Sequence, residues 1–449
     1  MKTALAKIAV IVVLAVALFV PVAMIQSLVA ERQQRRDEAV NGIAEGWGKR
    51  QTLAGPYVAL PYARSWTQVT QEVADGKARE RRTERTESQI VHVPPENVTW
   101  VASAEIGEKA RGIYKARLYN AKLEAQGTIR IPPGASLEDG KSRYKWGTPR
   151  LVIGIGDPHG IRAAESVAVG NRRYNFVPGT GEAAFPGGLH APLSDAHVGA
   201  SQTLSFSFSL ELGGSESFAI SPLGADTSVS MRAGWPHPSF QGRFLPARHE
   251  IGPDGFTAEW KVSRFAGQSP SQSDCPWPCG VAAESIAVSF IEPAGLYQQL
   301  ERTSKYGFLF IGLTFAAFML LELLRRLALH PVQYTLVGLA LAIFFLLLVA
   351  LSEHIAFAAA YAIAAAACVG LVSAYLVRAL RSARLGLGFG AALGALYAVL
   401  YVLLQAEDYS LLGGSLLVFG LLAAVMLGTW RVDWYQLIRG QSPNSLLRT

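Results

Sequence analysis

The chain has 449 residues, 50% hydrophobic and only 17% charged, against about 25% charged in an ordinary soluble protein. A mean hydropathy of +0.24, with the charge deficit confined to part of the chain, excludes a purely soluble globular protein. The net charge of +7 does not point to nucleic acid, because much of the excess lies in short segments between apolar runs and no nucleic-acid-binding motif is present.

The first element, residues 1–30, is an apolar helix with its main run at Ile8–Val29. A helix crossing the hydrocarbon core needs roughly 20 apolar residues, and a signal-peptide core only about 7–15. Leu28 also fits a small-residue cleavage pattern before Ala30 badly, so an uncleaved anchor is expected.

Residues 31–304 read as a water-exposed, β-rich insert, with a single or a two-lobed core and a lobe boundary near residues 145–150. "QTLSFSFSLEL" sets Leu204, Phe206, Phe208, Leu210 and Leu212 on one side of a strand by period-2 alternation. "HEIGPDGFTAEWKV" predicts two strands around a Gly-Pro-Asp-Gly turn, with Phe256, Ala258 and Trp260 on one face. "DGKARERRTERTESQ" mixes Arg79, Arg81, Arg82 and Arg85 with Glu80, Glu84 and Glu87. It reads as a solvated hairpin or as a contact for anionic lipid, lipopolysaccharide or cell wall. "SDCPWPCG" offers Cys275 and Cys279 as a disulfide candidate, structural or redox-sensitive, in an oxidising compartment. The six histidines of the insert, His92, His159, His190, His197, His237 and His249, show no metal-ligand spacing. No catalytic, cofactor-binding or metal-binding constellation is legible, and a non-enzymatic protein without cofactor is expected.

Residues 305–430 hold five more apolar runs, Gly307–Leu324, Val332–Leu351, Ile355–Val377, Leu385–Leu404 and Leu411–Thr429, followed by a tail over residues 431–449. Backbone groups in lipid must be satisfied internally, so these are helices. Arg325 and Arg326, then Arg378, Arg381 and Arg384, then Arg431 and Arg439 mark alternate ends. Basic residues stay on the cytoplasmic side, which predicts cytoplasmic termini and an extracytoplasmic insert. The expected fold class is thus an α-helical membrane protein with six transmembrane helices and a large β-rich, sandwich-like extracytoplasmic domain.

The opposite turns gather Lys305, Glu353, His354, Glu407 and Asp408 at one membrane surface. Three readings stay open. Ser352, Asp408 and the carboxylates can cap helices. The acidic rim can dock the large domain. Or Glu353 and His354 can relay cations or protons. Glu322 is spaced to pair with Arg326. Gly386, Gly390 and Gly394 form a small-residue stripe for close helix packing, internal or in a homo-oligomer. Cys368 reads as an apolar packing residue.

"ERTSKYGFLFIGLTFAAFMLLEL", "HPVQYTLVGLALAIFFLLL", "LYAVLYVLLQAEDYSLLGGSLLVFGLLAAVML" and "RVDWY" resemble the CreD family of inner-membrane proteins. "GPYVALPY", "WPHPSFQGRFLP" and "GFTAEWKVSRFA" extend the resemblance into the insert, whereas "CPWPC" departs from it. The resemblance implies a Gram-negative inner-membrane protein linked to cell-envelope integrity, colicin tolerance and envelope stress, and brings no known enzyme activity, cofactor or catalytic residue with it. Beyond the lipid bilayer, an envelope protein, a lipid or a cell-wall component is the partner to expect.

Overall fold

The protein is described here by a computed structural model covering residues 2–74, 77–182, 186–196, 200–263, 265, 285–290, 296–325, 330–405 and 410–430. The chain divides into a helical unit, Met1–Arg36 with Ala294–Thr449, and a β-rich unit, Asp37–Pro293. Cys275, Cys279, His197, Glu407 and Asp408 lie outside the described residues.

The helices are α1 (Lys2–Trp47), α2 (Leu296–Arg325), α3 (Pro331–Ser352), α4 (Phe357–Ala379), α5 (Ala383–Gln405) and α6 (Ser410–Thr429). Over their described residues, α1, α3, α4 and α5 are long and apolar enough to cross a membrane. Five of the six apolar runs fall wholly within helices and the fourth starts at Ile355, two residues before α4, while α1 and α2 extend beyond what hydropathy suggests. α1 continues to Trp47 because "ERQQRRDEAVNGIAEGW" is rich in helix formers and sets Val40 against Ala116 and Leu118. α2 begins at Leu296 because its first turns are polar but helix-competent.

Local chemistry starts α3. His330 accepts the backbone N–H of Val332 at Nδ1, and Gln333 Oε1 accepts the N–H of His330. Pro331 occupies the first helical position, where no N–H is needed. Inside the unit, Phe310 and Phe344 each place their rings 4.5 Å from Tyr397. Tyr361 donates its hydroxyl to the Tyr397 carbonyl at 2.7 Å. Gly338 lets α1 approach α3, since a Cβ there would lie 2.1 Å from Leu18 Cδ1. The outward positions are apolar as well: Leu371, Leu387 and Val402 are all more than 60% exposed, which suits a lipid surround.

The β-rich unit contains two nine-stranded sheets among the described residues. The first runs Val177–Pro178, Gly188–Pro192, Arg150–Ile155, Gln51–Ala74, Ser217–Ser221, Ile286–Ser289 and Ser239–Gly242, with Lys77–Val93 and Arg143–Trp146 also paired to Gln51–Ala74. The second runs Arg248–Gly252, Gly255–Ser263, Asp226–Ala233, Asn97–Arg111, Tyr114–Ile131, Gln202–Ser215, Val167–Val169 and Arg172–Tyr174, with Ile161–Ala164 paired to Gln202–Ser215. Segments from both sides of residues 145–150 enter both sheets, so the expected lobe boundary there does not exist. Long-range pairing, invisible in local composition, overrides it.

The alternation read from the sequence appears as burial. Phe206, Phe208, Leu210 and Leu212 point into the core, as do Phe256, Ala258 and Trp260. The largest side chains, Trp100 and Trp260, are fully buried, and Trp100 meets Phe208 edge to face. The end of α1 is fixed in this unit by Trp47. Its Nε1–H donates to the Tyr119 carbonyl, and Lys109 and Arg162 lie 4.0 and 4.3 Å from its ring centre.

Candidate functional site

Among the described residues, three places that bring chemistry-bearing side chains together bear on function. In the helical unit, α3 ends at Ser352, and Glu353 follows it in helical backbone conformation. Ser352 does not cap α4: its hydroxyl donates back to the Val349 carbonyl at 3.0 Å, and the N-cap of α4 is Ala356, without a side-chain bond. Glu353 instead faces Arg32, whose Nε lies 3.6 Å from Oε1, and the Glu353 side chain is only 11% exposed. Oε1 is buried with no hydrogen bond at that length. His354 is exposed. Lys305 pairs with Glu301 at 2.8 Å, one turn earlier on α2. Of the expected cluster, Glu407 and Asp408 lie outside the described residues; among the others, Lys305 pairs with Glu301 and Glu353 with Arg32. The sequence hid this partner because Arg32 reads as the basic flank of the first span.

Arg326, the expected partner of Glu322, lies outside the described residues, whereas other contacts of the helical unit are described. Glu322 accepts a 2.7 Å hydrogen bond from Tyr334, whose side chain is fully buried. Gly386 and Gly390 pack within the chain: added Cβ atoms would lie 2.5 Å from Val377 N and 1.9 Å from Ser373 Oγ, both on α4. Gly394 has nothing nearer than Val369 at 4.0 Å. Cys368 is buried, and accepts a hydrogen bond from the Tyr397 hydroxyl at 3.4 Å.

In the β-rich unit, residues far apart in sequence converge on Glu182. Tyr57 donates to Oε1 at 3.1 Å, and His92 Nε2 lies 2.8 Å from Oε2. The Glu182 backbone N–H donates to Thr180 Oγ1, which fixes the loop that carries the carboxylate. Arg150 packs against this loop so closely that a Cβ at Gly181 would meet its guanidinium at 2.2 Å. Gly181 itself adopts φ +75°. No local spacing announces this network, since Tyr57, His92 and Glu182 sit on three separate segments.

The third place is an open cleft of about 1060 Å³ beside the end of α1. Asp37, Glu45, Lys49, Arg50, Asp157 and Glu216 are the charged residues that line it. Arg50 pairs with Glu216 at 2.6 Å. Asp157 accepts the backbone N–H of Lys49 at 2.8 Å and that of His159 at 3.1 Å. Burial works against its charge, but these donors and the His159 ring outweigh it and hold the carboxyl below its ordinary range. Among the described residues, no three His, Cys, Asp or Glu side chains are grouped to hold a metal.

Apolar helices carrying a large two-sheet unit define a membrane protein with a substantial water-exposed domain. The pattern of the family described as "Inner membrane protein CreD" matches residues 3–435. The inner membrane protein CreD of Escherichia coli (strain K12) is 33% identical over 422 residues, covering 93% of this chain and 91% of that protein. The chain belongs to the CreD family of inner membrane proteins. Among solved structures, a substrate-bound mutant of the M1 zinc metallopeptidase of Deinococcus radiodurans aligns at 10% identity and a TM-score of 0.24, covering 48% of this chain and 53% of the peptidase. The unmutated peptidase aligns at 8% identity and a TM-score of 0.23, with the same coverage. Scores this low do not define a common fold.

Proposed function

We propose that this protein contributes to cell-envelope integrity and the envelope-stress response without enzymatic chemistry. Six spans hold it in the inner membrane with both termini cytoplasmic, and the β-rich unit faces the periplasm and holds an envelope component. The observation that carries this reading is the open cleft of about 1060 Å³, whose ionic lining is largely satisfied within the chain. A cleft of paired charges suits recognition, because its groups are held in place and offer hydrogen bonds at their remaining lone pairs and protons.

A second reading, a transporter or channel-like protein, is favoured by the buried carboxylate of Glu353 beside Arg32. Ionisable groups inside a helical membrane unit often serve ion pathways. A membrane-bound enzyme acting on lipid or cell-wall precursors has the least support. Complementation separates the first two. A deletion strain is scored for detergent sensitivity and colicin tolerance, then restored with wild type or with variants at matched membrane levels. The integrity reading expects Arg50→Ser with Glu216→Ser, in the cleft, to fail. It expects Glu353→Gln with Arg32→Gln to restore the barrier. The opposite pattern would favour transport.

A further inference from the structure

The strand pair Gln51–Ala74 and Lys77–Val93 stays in register from Val58 opposite Val93 to Ala74 opposite Lys77. In its outer part, residues 67–70 and 80–89 are exposed on both strands. A two-stranded ribbon alone is marginally stable in water, so the core neither requires this extension nor gains from it.

The two faces of the ribbon differ in chemistry. Directly opposite residues of an antiparallel pair share a face. One face therefore carries Tyr62 with Gln89, Arg64 with Glu87, Trp66 with Arg85, Gln68 with Thr83 and Thr70 with Arg81. On the other flank of the same strand, Trp146 stands opposite Tyr62 and Tyr144 opposite Arg64, which widens this face. Tyr62 lies 5.2 Å from Trp146 and 5.6 Å from Tyr144, and the Tyr144 and Trp146 rings are within 18° of parallel. The Arg64 guanidinium sits 5.3 Å from the Trp66 ring centre and is held by Asp139 at 2.6 Å. Arg85 donates to Gln68 at 3.2 Å, which fixes its guanidinium beside the aromatic row. The reverse face carries no ring from Ala63 to Val69: it sets Ser65 with Thr86, Thr67 with Glu84 and Val69 with Arg82, and Arg82 pairs with Glu80. A hairpin that served only solubility would not gather its rings on one face beside two arginines.

We propose that this face docks an acidic polysaccharide chain of the envelope. The aromatic row of Tyr62, Trp66, Tyr144 and Trp146 offers flat, amphipathic surfaces on which sugar rings can lie. Arg81 and Arg85, farther out on the same face, present planar forks suited to carboxylate or phosphate groups. Glu87 closes the basic run at its base, which sets the polarity of the face toward the ribbon's outer end. A membrane-inserting role fits less well, because the turn sequence "TQEVADGKAR" has only Val73 and two alanines to enter an apolar phase.

This proposal deepens the envelope reading and rests on it, but its test is made on purified full-length protein in phosphatidylcholine nanodiscs. Oligogalacturonate is titrated by calorimetry beside its neutral methyl ester. The wild type is expected to bind the acid, to weaken with salt and to ignore the ester. Arg81→Ser with Arg85→Ser is expected to weaken binding roughly tenfold or more, as is Trp66→Ala alone. Arg82→Ser, on the reverse face, is expected to bind as the wild type does. Circular dichroism checks that each exposed variant remains folded. Absence of binding by the wild type overturns the proposal even where the complementation test succeeds. So does equal loss in the Arg82 variant, or binding to phosphatidylglycerol vesicles but not to the saccharide.

Discussion

The carboxyl of Glu353 is 11% exposed and has Arg32 as its partner at 3.6 Å. Breaking a buried pair by removing one partner costs about 3–5 kcal/mol, because the other charge is left without compensation. Arg32 is 36% exposed, so solvent screening reduces this to about 1–3 kcal/mol. Arg32→Met should lower the thermal midpoint of the full chain in detergent, and Arg32→Met with Glu353→Gln should recover most of the loss. A single variant as stable as the wild type would show that the pair is not coupled. At this scale the sequence was a partial guide. It marked Glu353 as unusual but not its partner, because 321 positions separate the two residues. The same holds for Glu182, whose bonds to Tyr57 and His92 span 125 and 90 positions. Hydrogen-bond partners at such separations leave no local pattern to read.

Elements were more legible, because their signals are periodic. Period 2 located the buried faces of Gln202–Ser215 and Gly255–Ser263, and apolar length located the helices. The glycines of α5 show both the reach and the limit of such reading. Their shared stripe suggests equivalence, yet their surroundings differ. A Cβ at Gly386 would sit 2.5 Å from the backbone nitrogen of Val377, which cannot rotate away, whereas at Gly394 the nearest atom is 4.0 Å distant. Gly386→Ala should therefore destabilise the protein by about 1–3 kcal/mol through overpacking of α4 against α5. Gly394→Ala should be neutral or slightly stabilising, since alanine is the better helix former. Thermal unfolding of both variants in the same detergent checks this. Equal effects would mean that the α4–α5 contact gives way without cost.

For the whole molecule, the decisive quantity is the number of crossings between the β-rich unit and the turn joining α4 to α5. The six-span arrangement puts α2, α3 and α4 across the membrane between them, an odd number, so the two places face opposite sides. α3 and α4 meet the length and apolarity needed to span, whereas α2 does not over its described residues. Its first turns carry Gln298, Gln299, Glu301, Arg302 and Lys305, and Glu322 lies farther along. Those polar turns lie before the apolar run, and Tyr334 supplies Glu322 with a hydrogen bond, which lowers the cost of burying it. α2 is therefore expected to cross. The test uses a chain carrying Cys275→Ser and Cys279→Ser, in which Cys368 is buried. A single cysteine is then added at His159, whose side chain is 82% exposed, or at the exposed Arg381. With the outer membrane permeabilised, a membrane-impermeant maleimide should label His159→Cys in intact cells and Arg381→Cys only after the inner membrane is opened. Labelling of both from outside would mean an even number of crossings, with α2 lying along the membrane rather than through it. The basic residues at Arg378, Arg381 and Arg384 would then stand on the periplasmic side, against the rule that keeps such clusters in the cytoplasm.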